Sequence, residues 1–519
     1  MRWRLAAGLA AVGTVLVVVV VLMGAGRNGA AGDPPPGADV SASGALRVDI
    51  SAHAGGPRIP SGFLGLSIEF QAVRAYTGSN PAHVNPVLEQ LIRNLFPGQA
   101  PVLRIGGDST DISWLPGPGV KPLSYTGYRL TSSWLATTAA LASGLHARMT
   151  MGVNLAANQP ALARAQARAY LRSMGRARLA ALEIGNEPNV YGKIALLPLP
   201  GHRFRKARSR SFDYGRYQRE FSALAAATGR LPLAAPALAV GPTADAGSWV
   251  QSIGTLLAQH RRVRVMTLHR YPLRNCFVGP RSRQYPTVAH LLSSYSTVTL
   301  AAGLRRWIAI ARSHHRPLRV DELNSVACRG KPGVSDTFAS SLWVTEALFS
   351  LARAGVDGIN MHTLPRAAYE LFHFTHPAGR WQAYVQPVYY GLQLFAQAAP
   401  PGARILAVHR PTGAPELSVW ATRARDGALR VILINKSRQH SRAVSLAMPP
   451  GTGHGATVTR LRASGVDART GVTLGGQGYG SQTTSGSLGS AHVQTLERRG
   501  RTYTLSVPQG SAALVTFTR

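Results

Sequence analysis

From residue 64 to about residue 400 the chain alternates two kinds of apolar segment. Short runs rich in β-branched and other apolar side chains fall at residues 64–70, 102–105, 147–154, 179–184, 233–240, 263–269, 318–321 and 357–362. Their length and continuous apolarity predict strands buried on both faces. Between them lie longer Ala- and Leu-rich stretches, for example 86–95, 132–143, 161–174, 214–228, 248–259, 300–313 and 336–354, which predict helices. Eight strand–helix units over this length predict an α/β fold, a (β/α)8 TIM barrel. A doubly wound open sheet would need a Gly-rich fingerprint between strand and helix, and Gly106-Gly107 is too little for one.

The period changes after Pro400. Residues 417–421, 429–434, 443–448, 456–461, 493–496, 503–507 and 512–517 alternate in the strand manner, between turns of Gly, Ser and Thr, and helical stretches are absent. This predicts a C-terminal antiparallel β-sandwich, with 475–490 as a long loop inside it. Residues 46–50 alternate too and are expected to add a strand to that sandwich. The boundaries read as 46–60 for the joining strand, 61–400 for the barrel and 401–519 for the β domain.

Ahead of them, Arg2 and Arg4 precede an almost unbroken apolar run within residues 1–26. This reads as a signal peptide or, at its length, a membrane anchor, with the rest of the chain outside the cytoplasm, secreted or anchored. Residues 27–45, with Pro34-Pro35-Pro36, form a Pro/Gly/Ala linker.

Charge sharpens the picture. Of 519 residues, 57 are basic and 22 acidic, a net charge of +35, and all but five of the basic residues are arginine. Such an excess points to an acidic partner or to compositional bias alone. With 45% hydrophobic residues the chain is neither disordered nor polytopic. Carboxylates are scarce, so any that fall at strand ends stand out.

In a barrel the carboxyl ends of the strands face the active site. The fourth predicted strand runs into Ile184-Gly185-Asn186-Glu187-Pro188-Asn189, and the seventh into Asp321-Glu322-Leu323-Asn324. Carboxylates at these positions can converge across the barrel mouth. One can then protonate a glycosidic oxygen while the other attacks the anomeric carbon. Taken alone, each Glu has a structural alternative as a salt bridge or a cap. Arg104, ending the second strand, is placed to keep Glu322 ionised, with an ion pair to Asp111 as the alternative. Other strand ends offer Glu69, Asp108, His269, Tyr271, His362 and Tyr369.

Three segments, Leu103-Arg104-Ile105-Gly106-Gly107-Asp108-Ser109-Thr110-Asp111, Ile184-Gly185-Asn186-Glu187-Pro188 and Asp321-Glu322-Leu323-Asn324-Ser325, resemble glycoside hydrolase family 79. That is the family of heparanases and β-glucuronidases, within the clan of retaining (β/α)8 glycosidases. The likeness continues through Val334-Ser335-Asp336-Thr337-Phe338-Ala339 and into the last strands. It implies hydrolysis of β-linked glucuronides, alone or within acidic polysaccharides. It also implies Glu187 as acid/base, Glu322 as nucleophile and Asn186 on the sugar 2-hydroxyl. Glu69, Asp108 and Ser109 would contact the sugar, Tyr271 the nucleophile, and Tyr369 the uronate carboxylate. Where family members place a Gly- or Asn-containing turn before that tyrosine, this chain has Ala367-Ala368, so Arg366 and backbone amides would have to serve.

Arg203, Arg205, Lys206, Arg208 and Arg210 follow the fourth strand, and Arg270, Arg274, Arg281 and Arg283 the sixth. They read as a cationic rim for an acidic polysaccharide, or as arginine-biased solvated loops. Nucleic acid is not expected, because the first run offers only Phe204 for base stacking. Cys276 and Cys328 follow neighbouring strands and read as one disulfide, with two unrelated thiols as the alternative. No cofactor is expected. Two cysteines cannot build a zinc site, and His269, His314, His315 and His362 lack ligand spacing, so no metal is expected. Two other functions fit the same residues: a clan relative cleaving a neutral glycoside such as an arabinofuranoside or xyloside, and a non-catalytic polyanion- or carbohydrate-binding surface protein.

Overall fold

The computed structural model describes residues 44–241, 249–410, 413–453 and 455–517; the N-terminal apolar run and most of the linker lie outside the described residues. Eight strands close a parallel barrel: β1 (Leu64–Ile68), β2 (Val102–Ile105), β3 (Arg148–Val153), β4 (Leu179–Ile184), β5 (Leu233–Val240), β6 (Val263–Arg270), β7 (Leu318–Leu323) and β8 (Gly358–Thr363). Each pairs with the next, and β8 returns to β1 with Gly65 opposite Asn360 and Leu66 opposite Met361. Nearly every position of these strands is buried, which explains why their sequences are continuously apolar rather than alternating.

The surrounding helices follow their own signals. In Pro86–Leu95, Asn85 caps the first turn by accepting from the Val87 and Leu88 amides, and Pro86 occupies the first position. Its buried face is Val87, Leu88, Leu91, Ile92 and Leu95. The helix expected at 300–313 is two helices, Val298–Ala302 and Arg305–Ser313, interrupted at Gly303. Three helices escaped the pattern: Ala72–Thr77, Val288–Leu292 and Pro387–Ala398. The first two are too short to show a period, and the third is buried nearly all round and so has no polar face.

The β domain is one hydrogen-bonded path of strands folded over a common core that includes Val48, Val431, Leu433, Val444, Val458, Val507 and Val515. It is mostly antiparallel, but Leu46–Asp49 lies parallel to Val444–Ala447, because that strand enters from before the barrel rather than by a hairpin. Arg404–His409, unsignalled in the sequence, is the strand beside it. Helix Phe338–Ala354 is buried between the two regions. Its Glu346 pairs with Lys436 at 2.7 Å and accepts from Ser418 at 2.6 Å, and Phe349 stacks on Trp420. The 475–490 loop does more than close the β domain, since it reaches back to the barrel. There Asn94 donates to the Gly486 carbonyl (2.7 Å) and Gln393 to the Tyr479 hydroxyl (2.9 Å).

Candidate active site

Arg104 on β2 organises the barrel mouth. It is fully buried, and each of its five N–H groups has a partner. Nε donates to Glu183 (2.6 Å); Nη1 donates to Ser67 (3.0 Å) and Glu322 (2.8 Å); Nη2 donates to Asn186 (3.0 Å) and to Nε2 of His269 (3.2 Å). A side chain on Gly106 would place its Cβ 2.6 Å from the guanidinium carbon, so the residue after the strand must be glycine. Gly107 has φ +90° and is packed on the Glu69 carboxylate, which again excludes a side chain. The arginine therefore serves Glu322, not Asp111.

Asp111 has another task. Its carboxylate accepts from the amides of Leu155, Ala156 and Asn186 and from the Tyr191 hydroxyl, fixing the loop that leaves β4. In that loop Glu187 adopts a left-handed conformation (φ 51°, ψ 48°) and donates its amide to the Ala237 carbonyl (2.9 Å). A left-handed non-glycine residue held this way is strain kept in place by its surroundings, as happens at working sites. Asn186 is buried and donates to Asp108 (3.1 Å). Glu187 keeps a fifth of its side-chain surface open and meets Nδ1 of His269 at 3.0 Å.

The strand β7 runs two residues further than expected, so Glu322 lies within it rather than beyond its end. One Glu322 oxygen takes the Arg104 hydrogen bond and the other accepts from Tyr271 (2.9 Å). Burial by itself would push this carboxyl up. The charges of His362 and the Arg104 guanidinium outweigh it and hold the group well below the usual carboxylate range. Glu322 is thus an ionised carboxylate in a site that excludes most water.

Around this pair, Glu69 accepts from the amides of Asp108 (3.0 Å) and Ser109 (2.8 Å) and from the Ser109 hydroxyl. Tyr369 is buried with its ring 6.2 Å from Tyr271 and 5.9 Å from His362. His362 contacts Ser67 (3.0 Å) and lies 3.6 Å from Glu69 and 3.8 Å from Glu322. Burial lowers its pKa, but those two carboxylates leave it net raised.

Sequence reasoning missed the layer beneath. Glu183 and Asp321 are buried within one cluster with His269. Burial and the Glu183 charge push Asp321 well up, whereas Arg104 holds Glu183 down against its own burial, so Asp321 is the member of the pair that holds a proton more strongly. On β7 the consecutive Asp321 and Glu322 both reach Arg104, where strict alternation would send one of them away, and the strand's register shifts between Val320 and Leu323. Two triads, Glu183–His269–Asp321 and Glu187–His269–Glu322, bring ligand-type atoms within 4.8 Å of one another. The guanidinium hydrogen-bonded to Glu183, His269 and Glu322 already supplies the positive charge, so we assign no metal there.

The rim is smaller than the sequence count. Arg208 is held inside by Glu220 (2.6 Å) and the Leu155 and Ala156 carbonyls. Arg270 is fully buried and donates to the Leu300 and Gly241 carbonyls. Arg203, Arg205, Arg210, Arg281 and Arg283 are exposed, the first two on a hairpin of Ala195–Leu199 and Arg203–Lys206. Cys276 and Cys328 form a disulfide, beside a short parallel ladder of Leu273–Arg274 with Val326–Ala327. Ala367 and Ala368 spend their amides inside the chain, on the Leu364 and Arg329 carbonyls.

Residues 419–514 match the glycosyl hydrolase family 79 C-terminal beta domain. That region is the C-terminal β domain of glycoside hydrolase family 79. The whole chain is 22% identical to a β-glucuronidase of Neurospora crassa, over 84% of its own length and 87% of that protein. Its fold matches a 4-O-α-L-rhamnosyl-β-D-glucuronidase from Fusarium oxysporum in a Rha-GlcA complex, with TM-score 0.71 and 20% identity, covering 91% of this chain and all of that one. It also matches an α-L-arabinofuranosidase from Thermotoga maritima (TM-score 0.61, 15% identity, 91% and 99% covered).

Proposed function

We propose that this protein is a family 79 glycoside hydrolase that cleaves β-linked glucuronides with retention, through a glycosyl-enzyme on Glu322. The observation that carries the reading is the spacing of its two accessible carboxylates. The nearest oxygen atoms of Glu187 and Glu322 are no more than 4.8 Å apart, nearer the ~5–5.5 Å of retaining enzymes than the ~6.5–9.5 Å of inverting ones. In the first step a Glu322 oxygen bonds the anomeric carbon as the glycosidic bond breaks, and Glu187 gives its proton to the departing oxygen. Water then attacks the same carbon, Glu187 takes its proton, and Glu322 leaves. Asn186, Glu69 and the Asp108–Ser109 turn face the sugar hydroxyls.

Glucuronate is favoured by the two β-glucuronidase relatives and by Arg329, whose charge acts on Tyr369. Because the Ala367 and Ala368 amides are spent on the Leu364 and Arg329 carbonyls, the uronate carboxylate would meet the Tyr369 hydroxyl and the Arg329 guanidinium, whose charge reaches Tyr369. The exposed rim arginines would hold an acidic polysaccharide beyond the cleaved sugar. Export or anchoring by the N-terminal apolar run fits a polymer outside the cell. In the test, Glu322→Gln abolishes release of 4-nitrophenol from its β-glucuronide and labelling by a cyclitol epoxide probe. Labelling that survives the change overturns the assignment. A neutral sugar is the second reading, favoured by the arabinofuranosidase fold match and the spent amides; parallel assays on 4-nitrophenyl glucuronide, glucoside, xyloside and arabinofuranoside separate the two.

A further inference from the structure

We propose that His269 is a positioning residue for Glu187, held by Arg104 in the tautomer that aims its ring proton at the Glu187 carboxylate. The inference rests on the reading of Glu187 as acid/base.

His269 lies at the end of β6 and is 1% exposed, so its ring is satisfied by protein atoms. Nε2 lies 3.2 Å from Arg104 Nη2 and Nδ1 lies 3.0 Å from Glu187 Oε1. A guanidinium has five N–H donors and no acceptor, so at the first contact Arg104 donates and Nε2 must present its lone pair. The other four N–H groups are taken by Glu183, Ser67, Glu322 and Asn186, so the fifth cannot swing away. The ring proton is therefore on Nδ1, where it donates to Glu187. One cation thus reaches both working carboxylates, Glu322 directly and Glu187 through the imidazole.

The consequence is chemical. When Glu187 gives its proton to the leaving oxygen, the carboxylate formed receives a hydrogen bond already in place. When Glu187 takes a proton from water, that hydrogen bond weakens. His269 keeps its own proton throughout, and no other group is needed to balance the step. The ring faces Glu187 from the β4 loop, Arg104 from β2, Glu183 from β4, and Asp321 and Glu322 from β7 at 3.7 and 3.8 Å. Asp108 and Tyr271 lie close enough to feel the Glu187 charge.

Two measurements test the proposal. In histidine-15N-labelled full-length enzyme near neutral pH, with His269→Asn as the assignment control, the His269 ring should show a protonated Nδ1 and an unprotonated Nε2. The opposite tautomer or a doubly protonated ring overturns the proposal, whatever the activity. In pH profiles, His269→Phe should move the alkaline limb of kcat/KM upward by about one unit, since the carboxylate loses a donor. His269→Gln, whose amide replaces Nε2, should behave like Phe. His269→Asn, whose amide nitrogen replaces Nδ1, should restore the limb. A limb unmoved in both Phe and Gln variants overturns the proposal; if those variants misfold, the spectrum of the wild type decides alone. Full activity of Glu187→Gln on an alkyl glucuronide would instead sink the acid/base reading.

Discussion

The barrel centre and the barrel rim use the same residue type to opposite effect. At the centre one buried arginine spends all five N–H groups on Glu183, Ser67, Glu322, Asn186 and His269. At the rim Arg203, Arg205, Arg210, Arg281 and Arg283 face water. In the dry centre each missing hydrogen bond leaves an unpaired buried charge, whereas exposed charges are screened over about 10 Å at ordinary salt. Arginine number is therefore a poor guide to arginine importance in a chain of net charge +35.

The comparison breaks most readily at Arg104. Arg104→Met leaves Glu183 and Glu322 buried without their cation and is expected to cost about 3–5 kcal/mol in urea unfolding. Arg104→Lys keeps the charge but at most three of the five hydrogen bonds. It should cost less stability yet still lower kcat/KM by about 100-fold or more. A Lys variant with wild-type kinetics would mean that charge alone matters at the centre.

A smaller effect is expected at Tyr271. In the proposed reaction Glu322 works ionised, and its depressed pKa places the acid limb of kcat/KM below the ordinary glutamate value of about 4.3. The same depression makes the Glu322 contribution to stability present above that value and lost as pH falls toward the folded pKa. Tyr271→Phe removes a hydrogen bond to the ionised form, so the carboxyl protonates more easily and the acid limb moves up, by less than about one unit. A downward shift would contradict the geometry.

The rim should give the least. Replacing Arg203, Arg205, Arg281 and Arg283 by Gln is expected to leave Tm and 4-nitrophenyl β-glucuronide turnover unchanged. KM for an acidic polysaccharide should rise at low salt and converge with wild type as salt increases. Equal loss on the small glycoside would show that the rim belongs to the centre after all.

Much of the architecture was legible because burial writes itself into periodicity. All eight barrel strands fall within two residues of their apolar runs at either end, since a strand buried on both faces admits few polar residues. The helix Pro387–Ala398 was illegible for the same reason taken further, since burial all round erases the period. Glu187 and Glu322 stood out because carboxylates are few and barrel chemistry sits at strand ends.

What the sequence determined by itself was the barrel, the β domain that follows it, and the two carboxylates at the mouth, each through local patterns of apolarity and strand position. Only the tertiary structure decided that Arg104 serves Glu322 rather than Asp111, that Arg208 and Arg270 leave the rim for the interior, and that His269, 165 residues from Arg104 and 82 from Glu187, joins the two. Those choices depend on which side chains meet after the barrel closes. Hydrogen bonds between residues so far apart in sequence leave no local periodicity to read.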